Sequence, residues 1–332
     1  MKIVWVVESL GISGGVRVIV EHAGGLAARG HDVTIVTKDA RHDWIPVRVP
    51  VLEVPRFDAS TLPEADVHVA TWFPTVVSTV RAGRARRIFH FSQGFEALLP
   101  HLGDRRAEIE EAYREPVPKI LISAHLLRLF EGRYPGPFHV ISPSVDAEEF
   151  RPRGPDRSGP SSQVALGVVG PFLAETKGID VALRAVGRLR ASGRVLRLHR
   201  ASHLPEERGE SAITAIDSYV SARPAAEMPA WYQALDLLLF PAFDAEGFGL
   251  PALEAMASGV PVVIADIPSL ALLPTDAVSR VPQKDDAAMA REAARLLDDG
   301  ALWRARRRRG LEVAATFRPG PVLDRLEEIF RG

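Results

Sequence analysis

The sequence predicts an α/β fold of two Rossmann-like domains, each a parallel sheet covered by helices. Three observations point to it. An apolar run of buried-strand length, Ile3–Val7, opens the chain, and a helical face and a second apolar run, Val33–Val36, follow it. The same strand–loop–helix–strand order returns halfway along, from Val164 to Leu198. Between the halves lies Arg151–Ser162, RPRGPDRSGPSS, which is rich in Pro and Gly, lacks any large apolar residue and reads as an exposed linker. A chain of 332 residues suits two domains at about 100–200 residues each. The expected boundaries are residues 1–150, the linker 151–162, residues 163–315, and a terminal helix within 316–332 that packs back toward the first domain. The two parallel sheets are expected to face an inter-domain cleft that holds the ligand.

Each element has a local reason. After the first strand, Glu8–Gly15 is a loop ending in Ser-Gly-Gly. Val16, Ile19, Val20, Ala23, Leu26 and Ala27 then repeat at helical spacing, and Gly30 stops that helix as a left-handed cap would. Asp66–Ala70, Arg87–Phe91, Ile120–Ser123 and Phe138–Ile141 read as short strands, and Arg105–Tyr113 and His125–Gly132 as helices. In the second half Val164–Gly170 is a strand and Pro171–Gly178 a loop. Ile179, Ala182, Leu183, Val186 and Leu189 mark a helix face ending at Gly193, and Val195–Leu198 is the next strand. Leu235–Phe240 is a strand, Ala252–Ser258 a short helix stopped by Gly259, Val260–Ala265 a strand and Asp285–Asp298 a helix. Pro321–Phe330 is the last helix, with Pro321 at its first position.

Composition narrows the function classes. Hydrophobic residues are 46% and charged residues 25%, as in ordinary globular chains, which argues against disorder. The formal charge is −1, so no global electrostatic argument supports a nucleic-acid partner. Only five of the 41 basic residues are lysine, as arginine-biased codon usage would give. The absence of Cys excludes disulfides, thiolate metal sites and Cys nucleophiles. No apolar run reaches about 18 residues, and MKIVWVVESLG turns polar too soon for a signal peptide. A cytoplasmic protein is expected, and no oligomer is predicted.

The chemistry concentrates in Phe240–Ala265, FPAFDAEGFGLPALEAMASGVPVVIA. A strand ends at Phe240 and a loop carries Glu246, Gly247, Phe248 and Gly249. Leu250 follows, Pro251 suits the first helical position, where its missing N–H costs nothing, and Glu254 lies on the opening turn. The glycines let backbone approach a ligand closely, and a helix N-terminus offers free N–H groups and positive potential to phosphate. A carboxylate beside that end can accept hydrogen bonds from vicinal hydroxyls of a ribose or sugar; favourable dipole placement alone would also explain Glu254. Near the N-terminus, Gly14 and Gly15 open a helix. They serve either a tight turn or a backbone approach to phosphate, and with Gly11 they lack the spacing of a dinucleotide fingerprint.

EGFGLPALEAMASGVPVV resembles the E-x7-E signature of the retaining GT-B glycosyltransferases grouped as glycosyltransferase family 4. SGGVRVIVEHAGGLAARGHDVTIVT looks like that family's first βαβ unit, ISPSVDAEEF its hinge-proximal segment (with Ser144 where Gly is usual), and MPAWYQALDLLLFPA the helix and strand before the signature. The resemblance implies the GT-B fold, a nucleotide-diphosphate sugar as donor, a hydroxyl acceptor, transfer with retention of anomeric configuration, and no metal ion or other cofactor. It puts Glu246 on the sugar, Glu254 on the ribose, and Lys177, in ETKG, on the diphosphate, with Gly14, Gly15, Gly247, Phe248, Gly249 and Leu250 around the donor. Base recognition by backbone is expected near Tyr219–Pro224.

Two departures bear on that reading. The family's Arg after the strand-ending glycine is absent, because Gly170 is followed by Pro171; Arg17 and Arg200 are the candidate substitutes. Where the family often has His facing the sugar, HFSQGFEALLP brings Gln93, which can bond a hydroxyl but cannot exchange protons near neutral pH. This stretch is similar to an element of a rhamnosyltransferase-like branch. Gln93 joins Lys177 and Glu246 as a candidate catalytic residue. His90 and Trp72 are candidate acceptor or sugar contacts, a packed strand residue being the other reading of His90. The basic runs Arg81–Arg87 and Arg304–Arg309 are either solvated faces or contacts to anionic lipid at a membrane's inner face. Two other functions stay open: a catalytically silent nucleotide-sugar-binding relative, and a sugar-nucleotide epimerase of similar fold.

Overall fold

The structure, a computed structural model, describes residues 1–153 and 156–332; Gly154 and Pro155 of the expected linker lie outside the described residues. The chain forms two compact units, Met1–Ser144 with Pro319–Gly332, and Val145–Arg318. The division falls before Val145 rather than at residue 150. Asp146 caps a short helix, Ala147–Phe150, by accepting from Glu148 N at 2.9 Å, and the Phe150 ring lies 6.0 Å from that of Tyr232 in the same unit.

The first unit is a seven-stranded, wholly parallel sheet. Its strands are β1 (Lys2–Val7), β2 (Asp32–Thr37), β3 (Val51–Glu53), β4 (Ala65–Ala70), β5 (Ala85–Ser92), β6 (Lys119–Leu121) and β7 (Phe138–Val140), in the spatial order β3-β2-β1-β4-β5-β6-β7. Helices α1 (Gly14–Ala28), α2 (Phe73–Ala82), α3 (Arg106–Arg114) and α4 (Ala124–Phe130) make the crossovers. Ser13 caps α1 by accepting from Val16 N at 3.1 Å, and Gly30 at φ 88° ends it. The last helix of the chain, Pro319–Arg331, belongs to this unit and starts two residues before the expected Pro321. It packs on α1, where a Cβ on Gly25 would stand 2.6 Å from Leu323 Cδ1, so glycine permits the close approach. Arg29 and His31 pair with Asp324 and Glu327 at 2.7 and 3.1 Å beside it.

The second unit repeats the plan with six parallel strands: β8 (Val164–Val169), β9 (Leu196–Ser202), β10 (Ser218–Ser221), β11 (Leu237–Phe240), β12 (Val262–Ala265) and β13 (Ser279–Val281), in the order β10-β9-β8-β11-β12-β13. Its helices are α5 (Ala147–Phe150), α6 (Ile179–Ala191), α7 (Arg208–Ile213), α8 (Met228–Gln233), α9 (Leu250–Ala257), α10 (Asp286–Asp298) and α11 (Gly300–Ala314). Leu166, Val168, Leu198, Leu237 and Leu239 of the strands bury against Leu183 and Val186 of α6 and Met289 and Leu296 of α10. Asp236, just before β11, is buried and accepts from Ser161 N at 2.8 Å, from Ala165 N at 2.7 Å and from Arg157; these bonds strap the second part of the expected linker to this unit. Helices α2 and α11 had no counterpart among the expected elements. In α2 the apolar repeat is interrupted by Pro74, Thr75 and Ser78, and the helix is started instead by the Thr75 hydroxyl, which accepts from Thr71 N at 3.0 Å.

Two buried histidines carry a pH signature. His22 lies between Trp5 and Phe91, 6.1 and 5.6 Å from their ring centres, and His90 lies beside Tyr113. Burial lowers His22 to about 4; burial, then the charge of Lys119, lowers His90 to about 3. Folding thus disfavours the protonated imidazole, and stability that is complete above the unfolded value near 6.5 is lost as pH falls toward these folded values. Glu96, which burial raises to about 7, works in the opposite sense, so the single contribution has to be read by difference. Between pH 7 and pH 5 a His22→Leu variant is expected to lose about 2 kcal/mol less stability than the unsubstituted protein, on 1.36 kcal/mol per pKa unit; equal losses in urea titrations would refute the assignment.

Candidate functional site

In an open parallel sheet, ligands collect beyond the carboxyl ends of the strands where the strand order reverses. In the second unit that point lies between β8 and β11, because the chain runs outward through β9 and β10 on one side and through β12 and β13 on the other. The loop after β8 carries Lys177 and the loop after β11 carries Glu246. Their side chains meet, with Lys177 Nζ 2.6 Å from Glu246 Oε2.

Backbone contacts join the two loops before the charges do. Phe243 N donates to the Thr176 carbonyl at 2.8 Å. Gly178, at φ 60°, is pressed so close that a Cβ there would be 2.4 Å from the Pro241 carbonyl oxygen and 2.9 Å from the Phe243 ring. Glycine is the one residue that suits both the dihedral and the space. Glu246 Oε1 accepts from Gly249 N at 3.1 Å and Phe248 N at 3.4 Å, while Oε2 faces Lys177. Burial would raise this carboxyl, but the Lys177 charge, the Lys177 hydrogen bond and the two backbone donors outweigh it and hold it below its usual value. Glu246 is therefore ionised at neutral pH, with a side chain one-tenth exposed, whereas Lys177 is one-third exposed.

Helix α9 starts at Leu250, with Gly249 at φ 87° before it, so Pro251 takes the second helical position rather than the first. Glu254 is consequently the fifth helical residue, on the second turn and not the opening one. Its Oε2 accepts from the buried Tyr232 hydroxyl at 2.7 Å, a partner on α8 that no spacing in the sequence announces. Gly247 and Phe248 complete the loop, with Phe248 buried against the Phe317 ring at 5.9 Å. At the sheet's far edge Tyr219 donates to the Leu204 carbonyl at 3.1 Å, and the backbone from Ala222 to Pro224 leaves β10 on the same carboxyl edge.

Arg200 does not supply the missing cation. It is fully buried on β9 and paired with the equally buried Glu210, with Nε to Oε2 at 2.7 Å. The candidate site residues of the first unit lie around its own reversal point, between β1 and β4. Gly14 and Gly15 open α1, whose first-turn N–H groups a helix cannot satisfy internally. Gln93 Nε2 donates to the Gly15 carbonyl at 3.0 Å, which ties the loop after β5 to this glycine turn. Arg17 on the same helix pairs with Glu21 at 2.6 Å. Trp72 follows β4, half-buried, with the Arg105 guanidinium 5.8 Å from its ring centre. His90 is the packed strand residue of its two readings and not an acceptor or sugar contact, since its side chain is fully buried within the unit.

Most arginines of the basic runs have partners. In the first, Arg81 pairs with Glu111 at 2.8 Å, Arg84 with Glu64 at 3.0 Å and Arg86 with Asp66 at 4.0 Å, and Arg87 donates to the Phe330 carbonyl at 3.0 Å. In the second, Arg304 donates to the Ser158 carbonyl, Arg306 to the Thr275 carbonyl at 2.5 Å, and Arg307 and Arg309 pair with Asp156 and Asp276 at 3.0 Å. Among the described residues no helix is long and apolar enough to cross a membrane, and no three His, Asp or Glu residues are grouped to hold a metal ion.

Comparison with known proteins places this geometry. Residues 163–299, which include Lys177, Glu246 and Glu254, match the family model described as glycosyl transferases group 1. D-inositol 3-phosphate glycosyltransferase of Salinispora arenicola is 33% identical over 190 residues, 49% of this chain and 42% of that one. The enzyme of the same name from Corynebacterium diphtheriae is 30% identical over 213 residues, 58% of this chain and 49% of that one. The aligned part is thus less than half the length of these curated relatives. Among solved structures, Anabaena HepE in complex with UDP-glucose superposes with a TM-score of 0.80 at 16% identity, over 100% of this chain and 99% of that one. Sucrose-phosphate synthase from Thermosynechococcus elongatus gives 0.79 at 16%, over 100% and 98%. At such identity the likeness speaks for the fold, which is the GT-B glycosyltransferase fold of two parallel-sheet, Rossmann-like units, while the second unit carries the group 1 sequence pattern.

Gly178 offers a test that needs no substrate. Gly178→Ala is expected to destabilise the protein by about 2–3 kcal/mol, since it adds a strained backbone conformation to a clash with a carbonyl oxygen. An unchanged denaturation midpoint would mean that the two loops do not approach as described.

Proposed function

We propose that this protein is a retaining glycosyltransferase that moves a sugar from a nucleotide-diphosphate sugar to a hydroxyl acceptor. The observation that carries the reading is the Lys177–Glu246 pair at the reversal point of the second sheet, inside the segment matched to group 1 glycosyl transferases. The donor's diphosphate lies at Lys177, where an ammonium meets charge that builds on the leaving group. Glu246 accepts from sugar hydroxyls, and Glu254 from the ribose. Two strand spacings, about 10 Å, separate β8 from β10, which leaves the base beside the backbone of Ala222–Pro224. In the transfer the bond from the anomeric carbon to the diphosphate oxygen breaks. The acceptor oxygen bonds to that carbon on the same face, and the acceptor proton passes to the departing diphosphate. Gln93 orients rather than exchanges protons, and no metal is required where a cation already faces the leaving group.

A similar solved protein, HepE, was captured with UDP-glucose, which supports a uridine donor and a hexose as the first to try. The curated relatives are named for an inositol phosphate acceptor, which supports a small polyol or a lipid headgroup in that role. The observation that favours a silent donor-binding relative is Pro171, which leaves one diphosphate cation where the family usually has two.

The deciding experiment screens UDP-, GDP-, ADP- and dTDP-sugars by thermal shift and then follows donor turnover. The matched donor should raise the melting temperature and be slowly hydrolysed, and Glu246→Ala should abolish that hydrolysis. Lys177→Ala should lower kcat/KM by about 10²–10³, the usual cost of removing one preorganised charge donor, and weaken the nucleoside diphosphate far more than the nucleoside. Donor binding with no turnover under any acceptor would favour the silent relative.

A further inference from the structure

Lys177 stands at the end of a loop, Gly170–Gly178, that has no second cation to share its task, so the loop's own placement becomes decisive. Arg200, which the sequence offered as a substitute cation, shows how that placement is fixed. All three of its nitrogens are engaged: Nε donates to Glu210 Oε2 at 2.7 Å, Nη2 donates to the Gly170 carbonyl at 2.9 Å and forms an ion pair with the same Oε2, and Nη1 donates to the carbonyls of Val168 at 2.7 Å and Ala201 at 3.4 Å. Gly170 is held from its other side as well, its N–H donating to the Ala201 carbonyl at 2.9 Å. It sits at φ 125°, a conformation open to glycine, and Pro171 then fixes the direction in which the loop leaves.

The second arm comes from α7. Glu210 lies on this helix and also receives the Tyr219 hydroxyl at 3.3 Å. The neighbouring Gly209 is so close to the loop that a Cβ there would stand 2.9 Å from Phe172 Cε1. The same short helix therefore holds the loop twice, through the ion pair at Gly170 and through packing at Phe172. A buried ion pair is weak evidence of net stability, and its best-attested use is to fix one arrangement among several.

We propose that the buried Arg200–Glu210 pair, with the Gly209–Phe172 contact, is a brace that sets the position of the Gly170–Gly178 loop and so of Lys177, taking by positioning the part that a second diphosphate cation would take by direct contact. Arg200 and Glu210 are then positioning residues that act through Lys177. The inference rests on the assignment of the diphosphate to Lys177 made above.

The test uses the full chain and two independent variants. Arg200→Met with Glu210→Leu removes both charges and leaves no unpaired ion in the core, and Gly209→Ala disturbs only the Phe172 packing. Amide hydrogen exchange without ligand comes first. Amides of residues 170–178 should exchange at least tenfold faster in both variants, with β11 and α9 unchanged; unchanged exchange in a folded variant overturns the brace whatever the donor proves to be. Binding comes second, with UDP and uridine as probes, or with whichever nucleoside diphosphate the unsubstituted protein binds. Diphosphate affinity should fall about tenfold and nucleoside affinity little, and in a Lys177→Ala background the brace variants should cost nothing further. Equal losses for both probes, or full additivity with Lys177→Ala, would mean a general structural role and overturn the proposal. Faster loop exchange, with no nucleoside diphosphate bound by the unsubstituted protein, would leave the brace standing and sink the donor reading instead.

Discussion

The contact on which the second unit's functional edge depends is the 2.6 Å pairing of Lys177 with Glu246. A carboxylate with so little access to solvent carries a desolvation cost that a neighbouring cation offsets together with the two backbone donors. That neighbour can arrive only if two loops from different strands come within backbone hydrogen-bonding distance. The Thr176–Phe243 bond and the bare α-carbon of Gly178 allow this. The positive dihedral at Gly249 then turns the chain so that α9 begins directly after the two amides, Phe248 N and Gly249 N, from which Glu246 accepts. Loop closure, carboxylate ionisation and the start of α9 are one cooperative arrangement, and the ion pair is the point where they meet.

The parallel sheet makes this arrangement available. Because β8 and β11 are neighbours in space but far apart in sequence, their loops face each other at the carboxyl edge with no further device. The first unit repeats the geometry with different chemistry. There the reversal point between β1 and β4 is flanked by a glycine turn and an amide, Gly15 and Gln93, joined through a hydrogen bond rather than an ion pair. Arginine, the prevalent cation of this chain, is spent mainly on tethers: Arg29 holds the last helix, and Arg157, Arg304 and Arg307 hold the segment before β8. Most arginines of the two runs, which look like an excess of charge in the sequence, are thus engaged by carboxylates or backbone carbonyls in the fold.

Much of this could be read from the residues. Apolar strands, glycine stops and the helix faces located most elements, because periodicity and backbone constraint are local properties. Glu246 stands out from its glycine-rich loop and the helix that follows, whereas Lys177 enters only through the family resemblance of its loop. What stayed hidden depends on distance across the fold. Arg200 looks like any polar residue on a strand, and only the packing of α7 against the sheet shows that it is buried. Helices α2 and α11 were missed because Pro74 and Thr75 interrupt one apolar repeat and four consecutive arginines, Arg306–Arg309, mask the other. Glu254 was placed one position too early because Pro251 was read as the first helical residue, whereas the helix begins at Leu250.

A single lysine at the proposed diphosphate site poses a physical problem that the geometry answers. Lysine is a flexible point charge, and ordering its side chain costs up to about 2 kcal/mol of rotamer entropy. Its pairing with Glu246 supplies that ordering before any ligand arrives, and the loop beneath it is held at Gly170 and Phe172. An ammonium carries three donors, so the bond to Glu246 occupies one and leaves two directions in which phosphate oxygens can approach. The partial exposure of Lys177 beside a nearly buried Glu246 gives that approach a side to come from. An arginine in the same place would fork toward the carboxylate with two parallel bonds and turn away from the ligand. At this position the weaker, less directional cation is the one that can hold its carboxylate and receive an anion at once.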